Sequence, residues 1–235
     1  MNATGLTALF QDLTTPHVAD ACLRTGVDVR CAPSDLRPLG PSDRVAGRVR
    51  PARHYGSVDI FLEALEHASP GEVLVVDNAG RRDEACVGDL IALETKLAGL
   101  AGMVIWGLHR DTPEILGIGL PLFSLGACPT GPLRLDARDA GALVSAAVGS
   151  WTVGPDDVAM GDENGVVFLP LARAEAIAAA ARAIRDTERA QAAKMRRGAS
   201  LRAQLRFAEF LAWRSSHPSV TLREHLRRIG GAIEE

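Results

Sequence analysis

Glu72-Val73-Leu74-Val75-Val76-Asp77, followed by Gly88 to Leu100 and then by Met103-Val104-Ile105-Trp106-Gly107, is the stretch that decides the fold. The first and third pieces are compact apolar runs of strand length. The middle piece carries Leu90, Leu93, Leu97 and Leu100 at helical spacing. Strand, helix and strand within about 35 residues form the βαβ unit of a parallel pair with a crossover helix. The chain therefore reads as α/β.

On the N-terminal side, Thr15-Pro16 to Leu23 reads as a helix capped by Thr15, with Pro16 in its first position and Gly26 at its end. A short helix over residues 4 to 12 precedes it. Residues 44 to 50 alternate as a strand, and Asp59 to His67 reads as a helix stopped by Ser69-Pro70-Gly71. On the C-terminal side come a short helix, Asp111 to Leu116, a strand, Pro121 to Ser124, and a hairpin turn at Asn164-Gly165, so the sheet is mixed. Leu171 to Arg197 is Ala-rich and ends at Gly198, which predicts a long helix leaving the core. Residues 199 to 235 stay helical through Leu201, Leu205 and Leu211, with a break at His217-Pro218. The expected organisation is a core over residues 1–170 and a helical extension over 171–235 whose apolar face meets a neighbouring subunit.

Composition narrows the function classes. The 235 residues are 47% hydrophobic and 23% charged, with Lys+Arg 26 against Asp+Glu 29 and a net charge of -3. That balance gives no electrostatic reason to expect nucleic acid, and 4% aromatic residues leave few stacking platforms for bases. Cys22, Cys31, Cys86 and Cys128 form no CxxC pair, which argues against a structural zinc site or a disulfide framework and fits a reducing cytoplasm. No basic and apolar leader and no run of about 18 apolar residues occurs, so neither a signal peptide nor a membrane span is expected.

The candidate chemistry gathers at Gly88-Asp89-Leu90, which opens one helix, and at Arg110-Asp111, which follows the next strand. If the strands are parallel, both loops face one crevice, where open α/β sheets bind ligands. Free amides at the helix start can hold a carboxylate. Arg110 can stabilise an enolate oxygen, and Asp111 and Asp89 are hard oxygen ligands suited to Mg²⁺ or Mn²⁺. A purely structural reading stands beside each. Asp111-Thr112-Pro113-Glu114 has a capping-box pattern in which Asp111 caps its own helix and Glu114 reaches back; Asp89 can simply favour a helix start; Arg110 can be a solvated charge. His17 and His109 receive no role, Cys86 reads as a buried small hydrophobe, and Arg81-Arg82-Asp83-Glu84 as a solvated loop in reach of a substrate carboxylate.

These segments resemble the RraA-like class II pyruvate aldolases, the family of 4-hydroxy-4-methyl-2-oxoglutarate aldolase (HMG/CHA aldolase) and of the regulator of ribonuclease E activity A. The resemblance is carried by Thr15-Pro16 to Asp20-Ala21, Gly88-Asp89-Leu90, Gly107-Leu108-His109-Arg110-Asp111, Pro121 to Pro132, Gly154 to Asp157 and Gly161 to Val167, over roughly residues 10 to 200. It implies an αββα-type layered core of the swivelling-domain kind with a mixed sheet, a homotrimer or homohexamer, and an active site at a subunit interface. It also implies that Asp111 ligates a divalent metal, Mg²⁺ or Mn²⁺, and that Arg110 contacts the keto oxygen of a 2-oxo acid. Asp89 would hold a metal-bound water, the amides around Leu90 would take the substrate carboxylate, and Glu188 of a neighbouring subunit would join the water network. The implied activity is cleavage of a 4-hydroxy-2-oxo acid to pyruvate through a metal-stabilised enolate, with oxaloacetate decarboxylation alongside. Two departures bear on the pocket: Leu108-His109 replaces the small residues common before the Arg-Asp pair, and residues 81 to 84 are unusually charged. The alternatives are a non-catalytic regulator that binds ribonuclease E and a lyase for an unrelated small substrate.

Overall fold

The computed structural model, which describes residues 3–230, opens with two helices, α1 (Ala3–Phe10) and α2 (Thr15–Arg24). Met1, Asn2 and residues 231–235, the outermost parts of the expected core and extension, lie outside the described residues. The cap of α2 is Thr14, one residue before the expected Thr15. Its N–H and hydroxyl both reach His17 Nδ1, at 3.2 and 2.9 Å. Thr15 is drawn elsewhere: its N–H and hydroxyl each donate at 2.7 Å to the fully buried Asp162 carboxylate. A carboxylate from far along the chain thus satisfies an amide that the helix leaves without an internal partner.

The strands and helices that follow are β1 (Arg30–Cys31), β2 (Arg37–Pro38), β3 (Val45–Arg53), α3 (Asp59–Glu66), β4 (Val73–Asp77), β5 (Ala85–Val87), α4 (Asp89–Leu97), β6 (Gly102–Trp106), β7 (Leu108–His109), α5 (Thr112–Ile118), β8 (Leu122–Ser124), β9 (Ala146–Val148), β10 (Trp151–Val153), β11 (Asp157–Asp162) and β12 (Gly165–Pro170). Eight of them form one mixed sheet in the order β1-β12-β11-β3-β4-β6-β8-β2. Its centre, β3 through β8, is parallel, and β11, β12, β1 and β2 are antiparallel to their neighbours. The uninterrupted apolar run of β4 follows from its central place, since a strand covered on both faces has no reason to alternate. Val73, Leu74, Val75 and Val76 are all fully buried, each contributing about 1.5–3 kcal/mol of apolar transfer.

One face of the sheet, through Leu74, Val76, Met103 and Ile105, packs against Ile60 and Phe61 of α3, Ala92 of α4 and Ile115 of α5. The other, through Val73, Val75, Val104 and Phe168, meets Ala85 of β5, Leu108 of β7 and Ala146 and Val148 of β9. The fold is an α/β fold with a mixed sheet, as expected.

Two expectations shift, and one pairing is new. The hairpin corner is Glu163-Asn164, with Asp162 paired to Gly165, so the turn lies one residue before Asn164-Gly165. Gly165, at φ 128°, holds the conformation that needs a glycine there. On α4 the leucine stripe faces outward: Leu90 and Leu97 are 74% and 73% exposed and Leu93 is exposed too, while Ala92 and Thr95 turn to the core. Only Leu100, past the helix end, is buried. Finally, β5 and β7 pair with each other in a small parallel sheet of their own, which the longer runs of β4 and β6 concealed.

The chain divides into two compact units, Met1–Ala178 and Ala179–Glu235. The long helix α6 (Ala174–Arg196) begins in the first and carries Glu188 in the second. The second unit continues with α7 (Leu201–Gln204), α8 (Phe207–Ser216) and α9 (Leu222–Ile229). Its centre is Phe210 against His225, ring centroids 5.6 Å apart, with His225 Nε2 bonded to the Leu205 carbonyl at 2.9 Å. Among the described residues no helix is long and apolar enough to cross a membrane.

Candidate active site

A short strand pair, β5 with β7, brings the candidate residues together. Ala85 stands opposite Leu108 and Val87 opposite His109 in parallel register. Parallel neighbours end on the same side, so Gly88-Asp89 and Arg110-Asp111 leave one edge together. The Arg110 N–H donates to the Val87 carbonyl at 2.9 Å and carries the pairing to the brink of both loops. Two residues of β5 are spanned by one step of β7, which makes Cys86 a bulge. Burial pushes the Cys86 thiol far above its ordinary range, in keeping with a small core hydrophobe.

Asp111 decides between the structural and the functional reading. It lies in the left-handed region, φ 62° and ψ 42°, a conformation that costs a non-glycine residue about 1–3 kcal/mol and that aspartate tolerates better than most. Although Asp111 stands at the N-cap position of α5, its side chain makes no cap bond there, so the expected capping box with Glu114 does not form. The carboxylate turns to the neighbouring helix instead. Oδ2 accepts the Asp89 N–H at 3.4 Å and lies 3.5 Å from Arg110 Nε.

Asp89 is the first residue of α4, whose cap is Gly88. Its Oδ1 accepts the Leu90 N–H at 2.8 Å. The first amides of α4, expected to receive a substrate carboxylate, are therefore occupied by side-chain carboxylates of the chain itself, a contact that the aligned dipoles of a helix start favour. Arg110 and Asp111 are both substantially exposed, 50% and 37%. A Cβ at Gly88 would sit 2.6 Å from Asp111 Oδ2 and 3.2 Å from Arg110 Nε, and one at Gly131 would sit 3.1 Å from an Arg110 Nη. Two glycines thus make room for one guanidinium and one carboxylate.

Beneath the loops lies a residue that receives no role from sequence alone. His109 is buried, with Nδ1 bonded to Ser124 Oγ at 2.8 Å and Nε2 to Thr112 Oγ1 at 2.9 Å. Burial lowers its pKa from the ordinary value. Arg81 is engaged by Asp83 and Glu84, and Arg82 by Asp35, so both cations of that loop are already paired. Glu188 stands on α6 in the second unit and belongs to neither loop.

Among the described residues no three His, Cys, Asp or Glu side chains gather as a metal cluster. A pair of carboxylates with one exposed, uncapped member fits a small hard cation such as Mg²⁺ or Mn²⁺, which keeps waters and takes substrate oxygens to complete its shell. It does not fit a structural zinc site, which needs four protein ligands.

A second polar cluster closes the ends of β3 and β4. His54, 5% exposed, stacks on Phe61 at 5.3 Å and bonds Asn78 Oδ1 through Nδ1 at 2.9 Å. Arg134 ties Asn78 to the buried Glu84, at 2.8 and 3.0 Å. Burial lowers the pKa of His54 from 6.5. Below 6.5 the unfolded chain takes up the proton that the folded chain refuses, so this contribution to stability is present above 6.5 and lost as pH falls through the folded value. The melting temperature should accordingly drop as pH is lowered below 6.5, and the drop should be shallower in His54→Gln. Parallel pH profiles for the two proteins would remove His54 as the cause.

Residues 15–168 match the family described as RraA-like, Aldolase/RraA. A relative from Halalkalibacterium halodurans bearing the name "Putative 4-hydroxy-4-methyl-2-oxoglutarate aldolase" is 29% identical over 143 residues, 60% of this chain and 67% of that protein. Among solved structures, an uncharacterized protein from Pseudomonas syringae pv. tomato superimposes with a TM-score of 0.73 at 25% identity, covering 84% of this chain and 95% of the other. Streptomyces coelicolor RraAS2, described as an unusual member of the RNase ES inhibitor RraA family, gives a TM-score of 0.69 at 26% identity over 79% and 94%.

Proposed function

The chain belongs to the Aldolase/RraA family, and we propose that it is a divalent-metal-dependent carbon–carbon lyase that cleaves a 4-hydroxy-2-oxo acid to pyruvate and a carbonyl compound. The observation that carries this reading is the Asp111 carboxylate. It gives up the cap of its own helix and stands, half-buried, beside Arg110 at the start of α4.

In this reading Asp111, with Asp89 beside it, holds the cation, which when bound supplies Lewis acidity to the 2-oxo group. The first amides of α4 exchange a side-chain carboxylate for that of the substrate. Asp89 orients a water that removes the C4 hydroxyl proton, and Glu188 of a neighbouring copy joins it. The C3–C4 bond breaks, its electrons pass to the C2 oxygen, and the Arg110 guanidinium stabilises the resulting enolate. The carbonyl compound leaves with C4, and protonation at C3 gives pyruvate. Oxaloacetate decarboxylation passes through the same enolate and is the expected side activity.

We further read residues 1–170 as the catalytic core and 171–235 as an extension for contacts in a homotrimer or homohexamer with the active site at the subunit interface. The outward leucine stripe that starts at Leu90, in the candidate site itself, supports this. The free state of all four cysteines fits a cytoplasmic setting. The test is pyruvate release from oxaloacetate and from 4-hydroxy-4-methyl-2-oxoglutarate with Mg²⁺, Mn²⁺ or EDTA, corrected for the spontaneous metal-catalysed rate. Release that is lost on chelation and in Arg110→Ala supports the lyase. The likeness to an RNase ES inhibitor relative favours a second reading, a protein-binding regulator of ribonuclease E; no release from either compound would turn belief to it or to a lyase of other substrates.

A further inference from the structure

His109 is the last residue of β7, directly before Arg110-Asp111, and it takes no part in the chemistry above. Its ring joins two elements, Ser124 on β8 through Nδ1 and Thr112, the first residue of α5, through Nε2. Its backbone is pinned as well: the N–H donates to the Gly126 carbonyl at 3.0 Å, and the carbonyl accepts the Cys128 N–H at 2.8 Å. Only Arg110 and Asp111 separate His109 from Thr112. A span clamped at both ends to one side chain must reverse within two residues, and the left-handed Asp111 makes that reversal.

We propose that His109 is a positioning residue that selects between two orientations of the Asp111 carboxylate. The competing orientation is the ordinary one for an aspartate at this position, extended backbone with the side chain capping the α5 amides. Without the ring holding Thr112, Asp111 relaxes to that cap and its carboxylate leaves the start of α4. The proposal rests on the reading of Asp111 as the cation ligand, and it makes cation affinity depend on an interior histidine that touches neither cation nor substrate.

The experiment uses the full chain as wild type, His109→Leu, His109→Gln and Thr112→Val. Two quantities are measured: the Mn²⁺ dissociation constant by electron paramagnetic resonance, and the Asp111 backbone conformation of the cation-free protein by crystallography. His109→Leu and Thr112→Val should each weaken Mn²⁺ binding about 10–100-fold, the usual cost of losing a partner that orients a ligand. Asp111 should leave the left-handed region in both. His109→Gln, which can still bond Thr112, should restore much of the affinity. Asp111 unmoved in the Thr112→Val protein, with Mn²⁺ affinity unchanged, overturns the proposal, even where the leucine variant fails to fold. A wild type that binds no Mn²⁺ overturns the ligand reading instead, and Asp111 unmoved in the variants overturns the positioning role whatever the metal result.

Discussion

Replacing Asp111 by alanine should abolish cation-dependent pyruvate release while leaving a folded protein. The loss should reach about three factors of ten, the several kcal/mol that a bound cation supplies to developing negative charge. Folding should survive because the side chain caps nothing and is only half-buried. Alanine is less at ease than aspartate at φ 62°, so Asp111→Ala should also lower the melting temperature slightly. Asp111→Asn separates the two effects, because asparagine accepts the left-handed backbone but offers a neutral and weaker oxygen. Wild-type stability with a lost rate in the asparagine variant would assign the effect to the carboxylate. A full rate in either variant, with Mg²⁺ still required, would take Asp111 out of the site.

The second large effect is expected from the smallest change, Gly88→Ala. The backbone there, φ -122° and ψ -172°, suits any residue, so alanine introduces no strain. Its methyl group would nonetheless stand 2.6 Å from Asp111 Oδ2, inside van der Waals contact. The carboxylate is the free end of a side chain and can yield, so the fold is kept and the geometry is not. A displacement of about 1 Å at a reacting site can cost about 100-fold, and a rate loss of that size is expected with a nearly unchanged melting temperature. Coincident losses of rate and stability would instead show Gly88 to be a packing residue. A variant of wild-type rate would show that the pair tolerates crowding and is not the reacting centre.

Much of the layout was legible because the decisive signals are local and repeated. Val73 to Val76 and Met103 to Ile105 are unbroken apolar runs, and Pro16, Gly26 and Gly198 mark helix ends. The site was legible in residue identity but not in cause. Gly88, Asp89, Arg110 and Asp111 are readable from a helix start, a strand end and a family resemblance, whereas what joins them is β5 with β7, three residues against two. No periodicity can be read from so few positions. The leucines of α4 misled for a different reason: helical spacing reports which residues share a face, and not what that face meets. His109 was passed over because a histidine's two partners, here Ser124 and Thr112, are set by tertiary contact. The His-Arg-Asp-Thr order was in view, but nothing in it says that Asp111 takes a left-handed turn and surrenders its cap.

The bulge at Cys86 makes the site a matter of counting. In extended chain each added or removed residue reverses the side to which all later side chains point, and the extra residue in β5 sets the phase in which Gly88 arrives opposite Arg110. Between Ala85 and Gly88 there is no length to spare, so a single-codon insertion or deletion would harm the centre more than most substitutions there. The irregular stretch after Ser124 is itself fastened, backbone to backbone at Leu125, Gly126, Cys128 and Thr130 and through the Arg134 side chain to Glu84. A change of length there would pull on His109, whose N–H and carbonyl that stretch holds, whereas one between 85 and 88 would turn Gly88 away from Arg110.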